Sequence, residues 1–133
     1  PAGQVRGQMS ISVDWLPTLA EFAGVPLPNR KLDGKSLVKV IQSDTAKSQH
    51  SEFHWMGSGR NPQWAVREGS WKLIGNPRDP TIPSPLSKDN KLFLVNLSND
   101  ASEQNNLRNT HPDQLNRLKA IHNRWIADLW GSN

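Results

Sequence analysis

The sequence predicts an α+β fold, an antiparallel sheet of about four strands packed by a long C-terminal helix and preceded by a separate helix. Three observations carry that prediction. Four short stretches between residues 51 and 97 are rich in aromatic and branched side chains and are separated by turn residues. Residues 115 to 129 repeat apolar side chains at helical spacing. So do residues 13 to 23, which stand apart from the strand-rich region.

In the first helix Val13, Leu16, Leu19, Ala20 and Ala23 share a stripe. Ser12 or Asp14 can cap its start, Pro17 is tolerable only in the first turn, and Gly24 followed by Pro26 ends it. Residues 26 to 36 read as an irregular connection, and residues 37 to 41 as one more helical turn. The strands are expected over 51–56, 63–68, 71–75 and 91–97. Between the last two, NPRDPTIPSPLSKDN (76–90) holds four prolines, which exclude a sheet ladder and mark a long connection.

Within AVREGSWKLI (65–74) a Gly69-Ser70 turn places Trp64, Val66, Trp71 and Leu73 on one face and Arg67 opposite Lys72 on the other. Like charges directly opposite are unfavourable, so that register demands a carboxylate or a bound anion nearby. A Glu68-Gly69 turn would instead pair Arg67 with Ser70. Asp100 and Glu103, three apart, predict a reciprocal cap at a short helix start. Thr110, Pro112 and Asp113 open the long helix, whose stripe is Leu115, Leu118, His122, Trp125 and Leu129, with Ile121 and Ile126 beside it.

Composition narrows the function classes. Only 35% of the 133 residues are hydrophobic and ten are proline, which describes a small, loop-rich fold with a modest core. A formal charge of +4 favours anionic partners, but the basic residues are scattered and no nucleic-acid motif is present. Cysteine is absent, which removes disulfides, thiolate metal sites and thiol nucleophiles from this stretch. No apolar run of about 18 residues spans a bilayer, and no signal-peptide series is visible. The start at Pro1 reads as that of a processed or excised piece.

Few residues suggest chemistry. His50 and His54 have the spacing of a helical metal pair, but on a strand they lie about 13 Å apart at roughly 3.3 Å per residue. His122 reads as a core histidine with a hydrogen-bond partner, and His111 as a solvated one at a helix start. No serine sits in a G-x-S-x-G elbow and no Gly-rich loop leads from a strand into a helix. Asn96-Leu97-Ser98 matches a glycosylation sequon. The richest polar cluster is HWMGSGRNPQW (54–64), in which His54, Trp55 and Arg60 could close on an anionic or sugar-like ligand. The competing reading is a strand-connecting loop with a solvated arginine.

Three segments, in order, resemble the C-terminal end of an arylsulfatase-type sulfatase of the alkaline-phosphatase-like superfamily. DWLPTLAEFAGVPLP followed by LDGKSL (14–37) resembles the last helix of the catalytic domain and the connection leaving it. AVREGSWKLI resembles the hairpin of the small C-terminal subdomain. LVNLSNDASEQNNL (94–107) resembles the segment before the closing helix, with Val95 for the usual aromatic, Asn96 for the usual aspartate and Ala101 for the usual proline.

The resemblance implies two parts, residues 1–45 as the end of the catalytic domain with its connection and 46–133 as the C-terminal subdomain. It implies a parent enzyme that hydrolyses sulfate esters with calcium and a formylglycine made from the Cys or Ser of C-x-P-S-R or S-x-P-S-R. Neither motif occurs here, so no catalytic or metal residue transfers and the chain alone is expected to be inactive. For this portion it implies a wall beside the active-site cleft, with His54, Trp55 and Arg60 facing substrate. The expected partners are the N-terminal sulfatase domain and a sulfated small molecule or glycan, but neither nucleic acid nor membrane. Self-association through the first helix is a further expectation, and a periplasmic or secreted setting suits the resemblance.

Two alternatives stand beside this reading: a free-standing module that binds sulfated or acidic glycans, and part of a related phosphate or phosphonate ester hydrolase. A self-sufficient module should bury the Leu16 and Leu19 face, whereas a portion of a larger enzyme should leave it exposed.

Overall fold

The computed structural model describes residues 2–78 and 91–131. The proline-rich connection expected over 76–90 therefore lies almost wholly outside the described residues. The chain divides into two compact units, Pro1–Ser51 and Glu52–Asn133.

In the first unit a 3-10 turn, Ser12–Asp14, leads into α1, Trp15–Ala23, and a short α2 follows at Val38–Gln42. Gly24 ends α1 in the left-handed conformation, φ 64°, with its N–H on the carbonyls of Ala20 and Glu21. A residue without Cβ meets that requirement at least cost. The Leu16 and Leu19 face points outward, as expected of a portion of a larger enzyme and not of a self-sufficient module. Leu16 is 52% exposed and Leu19 60%, and Val13 and Phe22 are open beside them. The side chains that α1 and its preceding turn bury are Asp14, Pro17 and Thr18, while Leu37, Val38 and Val40 supply the apolar interior.

A buried carboxylate organises this unit. Asp14 accepts the backbone N–H groups of Ile11 and Lys35, both at 2.9 Å, and meets His50 Nε2 at 2.7 Å. Thr18 Oγ1 donates to the Asp14 carbonyl oxygen and accepts the Leu37 N–H. Gly34 crosses the Val13 backbone so closely that a Cβ there would overlap the Val13 carbonyl. The DWLPT and DGKS stretches are thus two halves of one hydrogen-bonded structure.

The second unit is a meander of four antiparallel strands in chain order: β1 Glu52–Met56, β2 Trp64–Glu68, β3 Trp71–Gly75 and β4 Leu92–Asn96. α3, Pro112–Trp130, covers one face. Val66, Leu73 and Leu94 lie side by side across β2, β3 and β4 and pack against Leu118 and Ile121, with Trp64, Trp71 and Leu115 around them. Trp64 lies over Gly75, where any Cβ would strike its ring. At the rim, Arg117 forms a two-pronged pair with Glu68 at 2.6 and 2.7 Å, and Arg124 reaches Glu52 at 2.9 Å.

The hairpin takes the first of its two registers. The strands turn at Gly69-Ser70, with Gly69 at φ 58°, and Arg67 stands opposite Lys72. The carboxylate that this register demands is Glu103, whose Oε1 lies 2.6 Å from Lys72 Nζ, while Arg67 Nε donates to the Gly69 carbonyl. Glu103 adopts φ 55° to do so. The short helix expected after Asp100 does not form. Asp100 caps a turn by accepting the Gln104 and Asn105 N–H groups, and Glu103 crosses to Lys72 instead of returning to the Asp100 amide.

The segment that follows seals the outer edge of β4. Asn106 Oδ1 accepts the Leu94 N–H, Asn106 Nδ2 donates to the Leu92 carbonyl, and the Leu107 N–H donates to the Leu94 carbonyl. Asn99 and Asp100 N–H groups take the Asn96 carbonyl. Val95, where the resemblance expects an aromatic, is fully buried.

Candidate functional site

Successive strand residues point to opposite faces, so β1 separates the neighbours His54 and Trp55. His54 faces α3. Its side chain is only 8% exposed, Nε2 lies 3.1 Å from Glu52 Oε1, and its ring stacks on Trp125 at 4.7 Å and 7°. Trp125 also neighbours His122, which stacks on Trp64 at 3.7 Å and 7°. His122 is the core histidine expected from its stripe, but it is held by rings. Its Nδ1, like that of His54, is buried with no hydrogen-bond partner among the described residues. Burial, and then the His54 charge, hold the His122 imidazolium below the usual histidine range. His111 accepts or donates at Thr110 Oγ1 and leans on Trp71.

Trp55 lies on the other face, 41% exposed and edge-on to Phe53 at 5.8 Å. Arg60 stands exposed in the loop between β1 and β2, with no hydrogen bond or ion pair among the described residues. The three residues singled out from sequence are therefore not gathered on one surface: His54 is spent between sheet and helix, Trp55 faces away from it, and Arg60 is carried by the loop.

The structure assembles a different set around Trp55. Met56, Gly57, Gln63, Lys72 and Glu103 join it around an open cleft of about 450 Å³. Gly57 fits closely here, since a Cβ would stand 3.2 Å from the Gln63 carbonyl oxygen. Lys72 and Glu103 form the polar side of the cleft, both partly open to solvent. The like-charge conflict at Arg67 and Lys72 signalled that a carboxylate was needed. Nothing local to the hairpin could say that it would arrive from Glu103.

In the first unit, burial tends to raise the Asp14 pKa, but the Lys35 and Ile11 amides and then the His50 hydrogen bond and charge outweigh it, holding the carboxyl below the usual aspartate range. His50 is engaged there and His54 with Glu52, so neither is disposed as the metal pair that their spacing suggested. Among the described residues no group of three His, Asp or Glu could hold a metal ion, and no helix is long and apolar enough to cross a membrane.

No family model matches the chain. A protein described as a sulfatase from Formosa agariphila is 30% identical over 92% of this chain and 25% of its own length. Human arylsulfatase A is 30% identical over 88% of this chain and 26% of its own. The crystal structure of Ps i-CgsB superposes with a TM-score of 0.71 at 22% identity, covering 94% of this chain and 26% of that one. BT4656 in complex with its substrate D-glucosamine-2-N,6-O-disulfate gives 0.64 at 17% identity, covering 90% of this chain and 24% of that one. At those identities the structural likeness speaks for the fold. The chain spans about a quarter of the length of the curated relatives it matches. Likeness along nearly the whole chain, on a fold with the expected order of helix, hairpin and closing helix, shows that it corresponds to the C-terminal part of an arylsulfatase-type sulfatase.

Proposed function

We propose that this chain works as the C-terminal portion of a sulfuric ester hydrolase whose formylglycine and calcium belong to the preceding catalytic domain. The residues present do not fit either group: the sequence has no cysteine and no S-x-P-S-R, and no metal cluster occurs among the described residues. On this reading the chain is inactive by itself and supplies structure and one wall of the substrate pocket. The observation that carries the proposal is likeness to arylsulfatases over nearly the whole chain. The open Leu16 and Leu19 face adds support, because a free-standing module should cover it. The rest of the enzyme, or a second copy, is its natural cover.

In that wall Trp55 offers an aromatic face, and Arg60 offers a guanidinium with no partner among the described residues, suited to a second sulfate or a carboxylate. His54 serves as a positioning residue, fixing β1 through Glu52 and Trp125 so that Trp55 is presented. An exported setting, periplasmic or secreted, fits the reading. The full-length protein should hydrolyse an aryl sulfate in the presence of calcium and carry a formylglycine visible by mass spectrometry, whereas the 133-residue chain should not turn over. A full-length protein that lacks both properties overturns the proposal. Arg60→Ala should weaken turnover of polyanionic substrates more than that of small aryl sulfates, and equal effects would remove Arg60 from the wall.

A further inference from the structure

We propose that the outer edge of β1 is an interface with a second copy of this chain, the two β1 strands pairing antiparallel about His54 to join the two sheets. The interface is made by backbone groups, is separate from the Leu16 and Leu19 face of α1, and is independent of the substrate.

The sheet has two edge strands, β1 and β4, and they differ. The outer edge of β4 is occupied by Asn106 and Leu107. On β1 the hydrogen bonds to β2 alternate along the strand, and the Gly57 N–H on the Gln63 carbonyl sets their phase. Phe53 and Trp55 therefore direct their backbone groups to β2, whereas those of Glu52, His54 and Met56 point outward. Among the described residues no hydrogen bond reaches these outward backbone groups. The strand also lacks the usual guards of an edge. It has no proline and no lysine, and it pairs with β2 from end to end without a bulge. Its one acidic side chain, Glu52, is held by Arg124 of α3. An edge of this kind accepts a further strand.

The sequence of β1 selects a second copy as that strand. When EFHWM is laid antiparallel on itself with His54 opposite His54, the outward N–H and C=O groups of Glu52, His54 and Met56 all find partners. Phe53 then stands opposite Trp55 of the second copy at the closely spaced positions. That gives the same aromatic pair on both sides of the axis, on the sheet face away from α3. Glu52 stands opposite Met56, so no like charges meet. A strand of unrelated sequence would gain the hydrogen bonds without the matched side chains. The pairing is isologous and closes on two copies, because the axis through His54 uses both β1 edges and the β4 edges are sealed.

Sedimentation velocity of the full-length protein over a range of concentrations should show monomer passing into dimer and nothing larger. Met56 faces Glu52 of the second copy on both sides of the axis. Met56→Glu should therefore weaken association roughly tenfold, while Met56→Lys leaves it as tight or tighter. Met56→Pro removes an outward N–H without touching the β2 ladder and should weaken association as well. Met56 is 36% exposed at the end of its strand, and circular dichroism checks that each variant folds. A protein that stays monomeric at millimolar concentration overturns the proposal, as does one that forms open-ended assemblies. Equal losses with Met56→Glu and Met56→Lys would refute the register and the proposal with it. A dimer abolished by Leu16→Glu but not by Met56→Glu would assign self-association to α1 and overturn the β1 interface.

Discussion

The two units of this chain are organised by opposite means. Glu52–Asn133 closes an apolar interior of its own, in which three neighbouring strands and one helix contribute Val66, Leu73, Leu94, Leu118 and Ile121. Pro1–Ser51 instead turns most of its large apolar side chains outward and is centred on a fully buried aspartate. The first design draws on area removed from water and tolerates local change in proportion to volume lost. The second depends on a few directional bonds, where losing one partner strands several others. The difference teaches that a stretch can be well ordered without being self-sufficient.

Three substitutions would break or sharpen that contrast. The largest effect is expected from Leu118→Ala, which empties the centre of the sheet unit and should cost about 3 kcal/mol in denaturant unfolding. Amide exchange should accelerate in β2, β3 and α3. Next comes Asp14→Ala, which strands the Ile11 and Lys35 amides and His50 and should cost on the order of 2 kcal/mol. Its loss of exchange protection should fall within residues 2–51, and equal loss in α3 would show that the two units do not respond separately.

Asp14 also carries a pH signature. Its folded pKa lies below the ordinary value of 3.8, so the unfolded chain takes up the proton first as pH falls. The stability it contributes is fully present above that value and is lost as pH drops through the folded pKa. Asp14→Ala should flatten this part of the acid limb.

The smallest effect belongs to His122. Its folded pKa is also depressed, below the ordinary 6.5, so the sheet unit should weaken as pH falls from about 6.5 toward the folded value. His122→Phe retains a ring against Trp64 and should remove that slope, with little change at neutral pH. A slope that persists in the variant would assign it to another group.

The strands and the long helix were legible because their signals are local. The alternation around Gly69-Ser70 and the 3.6-residue stripe in α3 need no knowledge of distant sequence. In α1 the same periodicity shows only that Leu16 and Leu19 share a face; whether that face turns toward this unit or away from it, which separated the two readings of the chain, took the structure to decide. Long-range polar contacts were legible only as a need. Arg67 opposite Lys72 called for a carboxylate, yet Glu103 is supplied from beyond β4. The candidate site suffered from the same limit, since proximity in HWMGSGRNPQW concealed the alternation that sends His54 and Trp55 to opposite faces. Gln63 and Glu103 became visible only once the strands were paired.

The Asn106 brace on β4 has a colloidal consequence. With the Leu92 and Leu94 carbonyls and the Leu94 N–H already occupied, that rim cannot serve as a template for a strand from a neighbouring molecule. A short polar segment that looks like a mere connection before α3 therefore acts as a guard against runaway assembly. Replacing Asn106 with alanine would be felt first in how the protein behaves when concentrated.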